Sequence, residues 1–115
     1  MADELPIPPV ALAHPSVEMI RVWLAKQKQQ VVLNIGFWEE RGIDERESWG
    51  VMIADMIHHI ANAFLEEYGY DREETISAIR RSLEAEMQAA TSKRVGQFVK
   101  AKADEPKPKA SRKKT

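Results

Sequence analysis

The sequence predicts an α+β fold: a β-hairpin followed by two antiparallel helices, packed as two layers, with a candidate short C-terminal strand. Three observations predict it. Two runs rich in β-branched and aromatic residues, VEMIRVWLA (17–25) and QVVLNIGFWE (30–39), flank the polar KQKQ, which is short enough for a hairpin. The stretch ESWGVMIADMIHHIANAFLEEYGY (47–70) is apolar over most of a helical wheel. After it, Ile76, Ile79, Leu83 and Met87 follow at the spacing of one helical stripe.

The chain opens with four prolines in residues 1–16 (Pro6, Pro8, Pro9 and Pro15). That density predicts an extended strap without helix, in which Leu5, Ile7, Val10 and Leu12 lie along the surface. In the hairpin, placing Lys26 opposite Gln29 puts Leu24 against Val31, Val22 against Leu33 and Ile20 against Ile35. That face is wholly apolar and is expected to pack on the central helix, and a slip of one residue would turn it outward. No Asn-Gly or Asp-Gly marks the turn.

On the other face the same register pairs Trp23 with Val32, Arg21 with Asn34, Met19 with Gly36 and Val17 with Trp38. Arg21, Trp23, Asn34 and Trp38 form a candidate interaction surface, set against a plainer reading as an aromatic cover under the strap or tail. A hairpin alone leaves open strand edges. Residues 95–99 are one candidate for the missing neighbour and a second copy of the sheet is the other.

Residues 39–46 read as a charged connector that turns at Gly42. In the central helix, Trp49, Met52, Ile53, Met56, Ile57, Ile60, Ala63 and Phe64 share one broad arc, and Gly50, Ala54 and Ala61 widen it with small residues. An arc this wide predicts contacts on two sides, with Trp49 buried against the sheet. The acids Asp44, Glu45 and Glu47 suit the positive end of the helix, and Gly69 suits its left-handed stop. Asp71 and Glu74 then form a D-x-x-E capping box for the second helix. Arg72, Glu73, Arg80, Arg81, Glu84 and Glu86 make up its solvated face.

The domain boundaries follow: a strap over 1–16, one α+β domain over 17–99, and a disordered basic tail over 100–115. Net charge is −1, but residues 1–99 carry −6 and the tail +5. The tail has no aromatic residue to stack on bases, so its expected contact with nucleic acid is weak and salt-sensitive. The acidic MADEL start and the lack of a long apolar run predict a cytoplasmic protein with no membrane partner.

Chemistry-bearing patterns are sparse. With no cysteine, thiol nucleophiles and Cys-ligated metals are excluded. No nucleophile or phosphate-loop motif occurs. Asp55, His58, His59 and Asn62 form a polar cluster on the central helix, a candidate acid–base or metal site. Adjacent histidines diverge by about 100° on a helix, so the cluster reads as a polar seam with no metal, cofactor or catalytic residue expected.

EMIRVWLA, LNIGFWEE, SWGVMIADMIHHIANAF, the EEYGYDRE link and ATS near the end of the second helix resemble a family of small alphaproteobacterial proteins described only as a domain of unknown function. The resemblance covers residues 17–98. It implies a bacterial, cytoplasmic, single-domain protein and brings no activity or site residues with it. The functional expectation is a non-catalytic interaction or assembly module that self-associates as a homodimer or binds another protein. The rivals are a nucleic-acid-associated protein working through the tail, and a ligand-binding or enzymatic domain centred on Asp55 and His59.

Overall fold

A computed structural model describes residues 2–89 and 95–100. It has a two-stranded antiparallel hairpin followed by two long helices, an α+β arrangement. The elements are α1 (Pro9–Ala13), β1 (Ile20–Ala25), β2 (Lys28–Ile35), a 3-10 turn (Glu39–Arg41), α2 (Glu45–Tyr68), α3 (Arg72–Ala89) and β3 (Val95–Lys100). The sheet order is β1-β2-β3, and β3 runs parallel to β2 along its free edge. The C-terminal strand therefore covers the edge the hairpin leaves open. Residues 101–115, where the basic tail is expected, lie outside the described residues.

Two local expectations need correction. The proline-rich start does contain one helical turn, α1, with Pro9 at its first position. There the missing N–H costs nothing, because the first N–H groups of a helix have no partner within it. Leu5, Ile7, Val10 and Leu12 all remain exposed. The hairpin register is also shifted by two residues: Ile20 faces Leu33, Val22 faces Val31, and Leu24 faces Gln29. The loop is Lys26–Gln27, with φ of 54° and 62°, the positive values a type I′ turn requires. A two-residue shift preserves the strand parity, so each side chain keeps its face. It also sets Gln29 opposite Leu24.

Helix boundaries follow their caps. Asp44 accepts from the Arg46 N–H at the start of α2. Gly69 closes it at φ 72° and donates to the Leu65 carbonyl at 2.9 Å. Asp71 Oδ2 accepts from the Glu74 N–H at 3.0 Å, opening α3. The three-residue link turns α3 back along α2, and Ala61 of α2 and Thr75 of α3 are buried.

The core is thin. Ala61 is the one wholly buried apolar residue among the described residues. Ile20, Val31, Leu33 and Ile35 are half-buried, but Val22 and Leu24 on the same face are exposed. α2 therefore does not cover the whole sheet face. Trp49 is half-buried rather than sealed against the sheet. Ile53, Met56 and Ile60, at i, i+3 and i+7 on α2, stand open.

Candidate functional site

The connector from β2 to α2 holds the most highly organised polar group. Glu45 is the first residue of α2 and is 4% exposed. Its Oε1 accepts from the N–H groups of Gly36 (3.1 Å), Trp38 (3.0 Å) and Glu39 (3.1 Å). Its Oε2 accepts from Gly36 N–H and from Trp49 Nε1, both at 2.9 Å. Gly36 makes this approach at φ 109°, a conformation open chiefly to glycine. The Glu45 N–H in turn donates to Glu39 Oε2 at 3.3 Å. Burial alone raises the Glu45 pKa, but the hydrogen bonds from Gly36, Trp49, Glu39 and Trp38 outweigh it and hold the carboxyl below its ordinary value. A carboxylate this fully engaged has no free lone pair for acid–base work. It ties the strand end to the helix start.

Sequence reasoning placed Glu45 only among the acids of a helix start. Glu39, Glu40 and Glu47 look alike in the sequence, and only the folded connector singles out one of them.

The candidate surface on the sheet divides. Arg21, Trp23 and Asn34 share a face by strand alternation. Arg21 is held by Glu18 at 3.0 and 3.1 Å and by Glu4 at 2.8 Å, which pins the N-terminal segment to β1. Trp23 is half-buried opposite Gln30. Asn34 Oδ1 is buried and accepts no hydrogen bond among the described residues. Trp38 lies beyond the ladder, at the 3-10 turn, and does not pair with Val17. Its ring packs edge-on against Trp49, centroids 6.0 Å apart, and against Phe37 at 5.6 Å. The two tryptophans of the candidate platform thus belong to separate environments.

The polar cluster on α2 also divides. His59 Nε2 lies 3.2 Å from Asp55 Oδ2, with both side chains more than two-thirds exposed. His58 and Asn62 turn to α3 instead. Arg72 Nε donates to Asn62 Oδ1 at 2.6 Å, and Arg72 Nη2 lies 3.1 Å from His58 Nδ1. Guanidinium can only donate, so His58 Nδ1 is the acceptor. Arg72, read from the sequence as part of a solvated face, is a clasp between the helices. Among the described residues no three His, Asp or Glu side chains converge as a metal site would require.

A concave groove of about 1650 Å³ runs along α3 and the α2–α3 link. Its floor is aromatic: Phe64 and Tyr70 stack with centroids 5.7 Å apart and rings within 6° of parallel. Tyr68 leans on both, at 5.7 and 5.5 Å. Ile79, Leu83 and Met87 form the α3 wall, and Gln29 marks the hairpin side. Neither Asp55 nor His59 lines it. No helix among the described residues is long and apolar enough to cross a membrane.

Fold and surfaces together define a small α+β domain whose apolar faces are largely open. Residues 4–91 match the family described as Domain of unknown function (DUF5076), and the chain belongs to that family. A solved structure described as "a putative pyruvate dehydrogenase from the photosynthetic bacterium Rhodopseudomonas palustrus CGA009" is similar over 83% of this chain and 93% of that one, with a TM-score of 0.62 and 21% identity. At that identity the likeness shows the shared fold. No curated protein matches.

Proposed function

We propose that the chain is a non-catalytic, cytoplasmic interaction module that works as a homodimer. One observation carries this reading: large apolar side chains stand open on the hairpin and both helices, while Ala61 is the one wholly buried apolar residue among the described residues. Leu24 is 80% exposed and Met87 72%. With Val22, Ile53, Met56, Ile60, Tyr68, Tyr70 and Leu83, which are also exposed, they leave on the order of 1,000 Å² of apolar side chain open over these three elements. Apolar burial contributes about 25 cal/mol per Å², so a single chain forgoes much of the stabilisation a domain of this size needs. Association restores it.

An acid–base enzyme finds less support. The Asp55–His59 pair sits on an open helix surface and outside the groove.

Light scattering on a sizing column should give twice the chain mass at micromolar concentration, and the melting temperature should fall on dilution, as for any folding linked to association. A monomer mass at every concentration, with a dilution-independent melt, would overturn the reading.

A further inference from the structure

We infer that the second copy docks on the free edge of β1, strand against strand about a two-fold axis, an inference that rests on the homodimer reading. In the sheet order β1-β2-β3, β1 is one margin, and among the described residues no backbone group bonds to its outer side. The Met19 carbonyl accepts from the Asn34 N–H at 3.0 Å, which fixes the alternation of the ladder. Arg21, Trp23 and Ala25 turn their N–H and C=O groups inward to β2, so those of Ile20, Val22 and Leu24 point outward. The same three residues carry apolar side chains, with Val22 48% exposed and Leu24 80%. An apolar strand with open backbone groups and no proline or glycine is ready to pair. The opposite margin, β3, is interrupted by Gly96, and glycine weakens a strand.

The side chains of β1 select the occupant. A two-fold axis perpendicular to the sheet and centred on Val22 sets Val22 against Val22, Ile20 against Leu24 and Arg21 against Trp23 of the second copy. All the outward N–H and C=O groups of these strands then find partners, in the hydrogen-bonded positions of an antiparallel ladder. The apolar stripe continues from one sheet into the other. On the reverse face each guanidinium meets an indole, a favourable pairing. At the ends of the pairing Glu18 comes level with Lys26 of the second copy, acid beside base.

Neighbouring registers fit less well. Centring on Arg21 opposes two guanidinium groups. Centring on Trp23 brings Lys26, at φ 54°, into the ladder, where strand geometry excludes positive φ. An unrelated strand could bond to the same backbone groups, but this side-chain match is particular to a second β1.

The chain has no cysteine, so single-cysteine variants of the full-length protein report the register. Across a hydrogen-bonded antiparallel pair the Cα atoms lie ~5.5 Å apart, within the roughly 4.4–6.8 Å that a disulfide spans. Val22→Cys should therefore link two chains under mild oxidation. Leu24→Cys should link more slowly by roughly tenfold or more, because the two Leu24 positions stand roughly 13 Å apart along the strands. Chance collision would give the reverse order, since Leu24 is the more exposed. In the unaltered protein the Val22 N–H should resist hydrogen exchange where the mass is doubled and lose that protection on dilution. A doubled mass with the Val22 N–H exchanging freely, or with Leu24→Cys linking as fast as Val22→Cys, would overturn the β1 edge as the seat and leave self-association standing on another face. A monomer mass for the unaltered chain at every concentration would overturn both. The exchange measurement needs no variant and decides the matter if a cysteine variant misfolds.

Discussion

Glu45 and Trp49 stand one turn apart on α2, and the indole Nε1 of Trp49 donates to Glu45 Oε2 at 2.9 Å. The same carboxylate accepts from three backbone N–H groups of the connector, and the Trp49 ring meets Trp38 edge to face. One side chain thus joins the end of β2, the 3-10 turn and the first two turns of α2. The connector, which reads in the sequence as a charged loop, is among the most tightly tied parts of the chain.

Glu45→Gln should be strongly destabilising. An amide keeps one acceptor oxygen, but its NH₂ must face N–H donors with which it cannot bond. Leaving buried donors unsatisfied beside a lost charge-assisted network costs about 3 kcal/mol or more. Urea melts of the variant and the parent measure this. A change within ~0.5 kcal/mol, the range of ordinary surface substitutions, would mean that the clasp contributes little to stability.

Glu45 also sets an acid limit. Its carboxyl is held below the ordinary value of 4.5. A group depressed on folding stabilises the folded state fully above its unfolded pKa and loses that contribution as pH falls through its folded pKa. Melting temperature should therefore decline as pH drops below 4.5, and the Glu45→Gln variant should decline less steeply. Asp44, lowered chiefly by its hydrogen bond from the Arg46 side chain, acts in the same direction. The comparison with Glu45→Gln isolates the buried group. Parallel slopes for the two proteins would count against it.

Arg72 and His59 should separate in their effects. Arg72→Ala removes two contacts that tie α3 to α2 and should cost about 1–2 kcal/mol. His59→Ala removes an exposed pair with Asp55 and should change stability by less than about 0.5 kcal/mol. Thermal melts of the two variants decide it. A larger loss from His59 would place the Asp55–His59 side of α2 in an interface.

Much of the local structure was legible because its causes are local. Gly69 and the Asp71–Glu74 pair marked the helix junction, since a left-handed stop and a side-chain cap act within a few residues. Strand alternation placed Leu24, Val22 and Ile20 on one face, and this survived the two-residue shift because side-chain period is two. The shift itself was hidden: Lys26–Gln27 carries no glycine or asparagine to announce positive φ.

What the sequence by itself determined is the order of hairpin and two long helices, the helix junction and the sidedness of each hairpin strand, all consequences of chain-local sterics and periodicity. Only the tertiary structure decided which acid of four is buried, that Arg72 turns inward to His58 and Asn62, and that Trp38 leaves the sheet for Trp49. Those choices depend on which groups meet after the chain turns at Gly36 and Gly69. A buried carboxylate or an open apolar face is a property of its surroundings, and no residue states its surroundings alone.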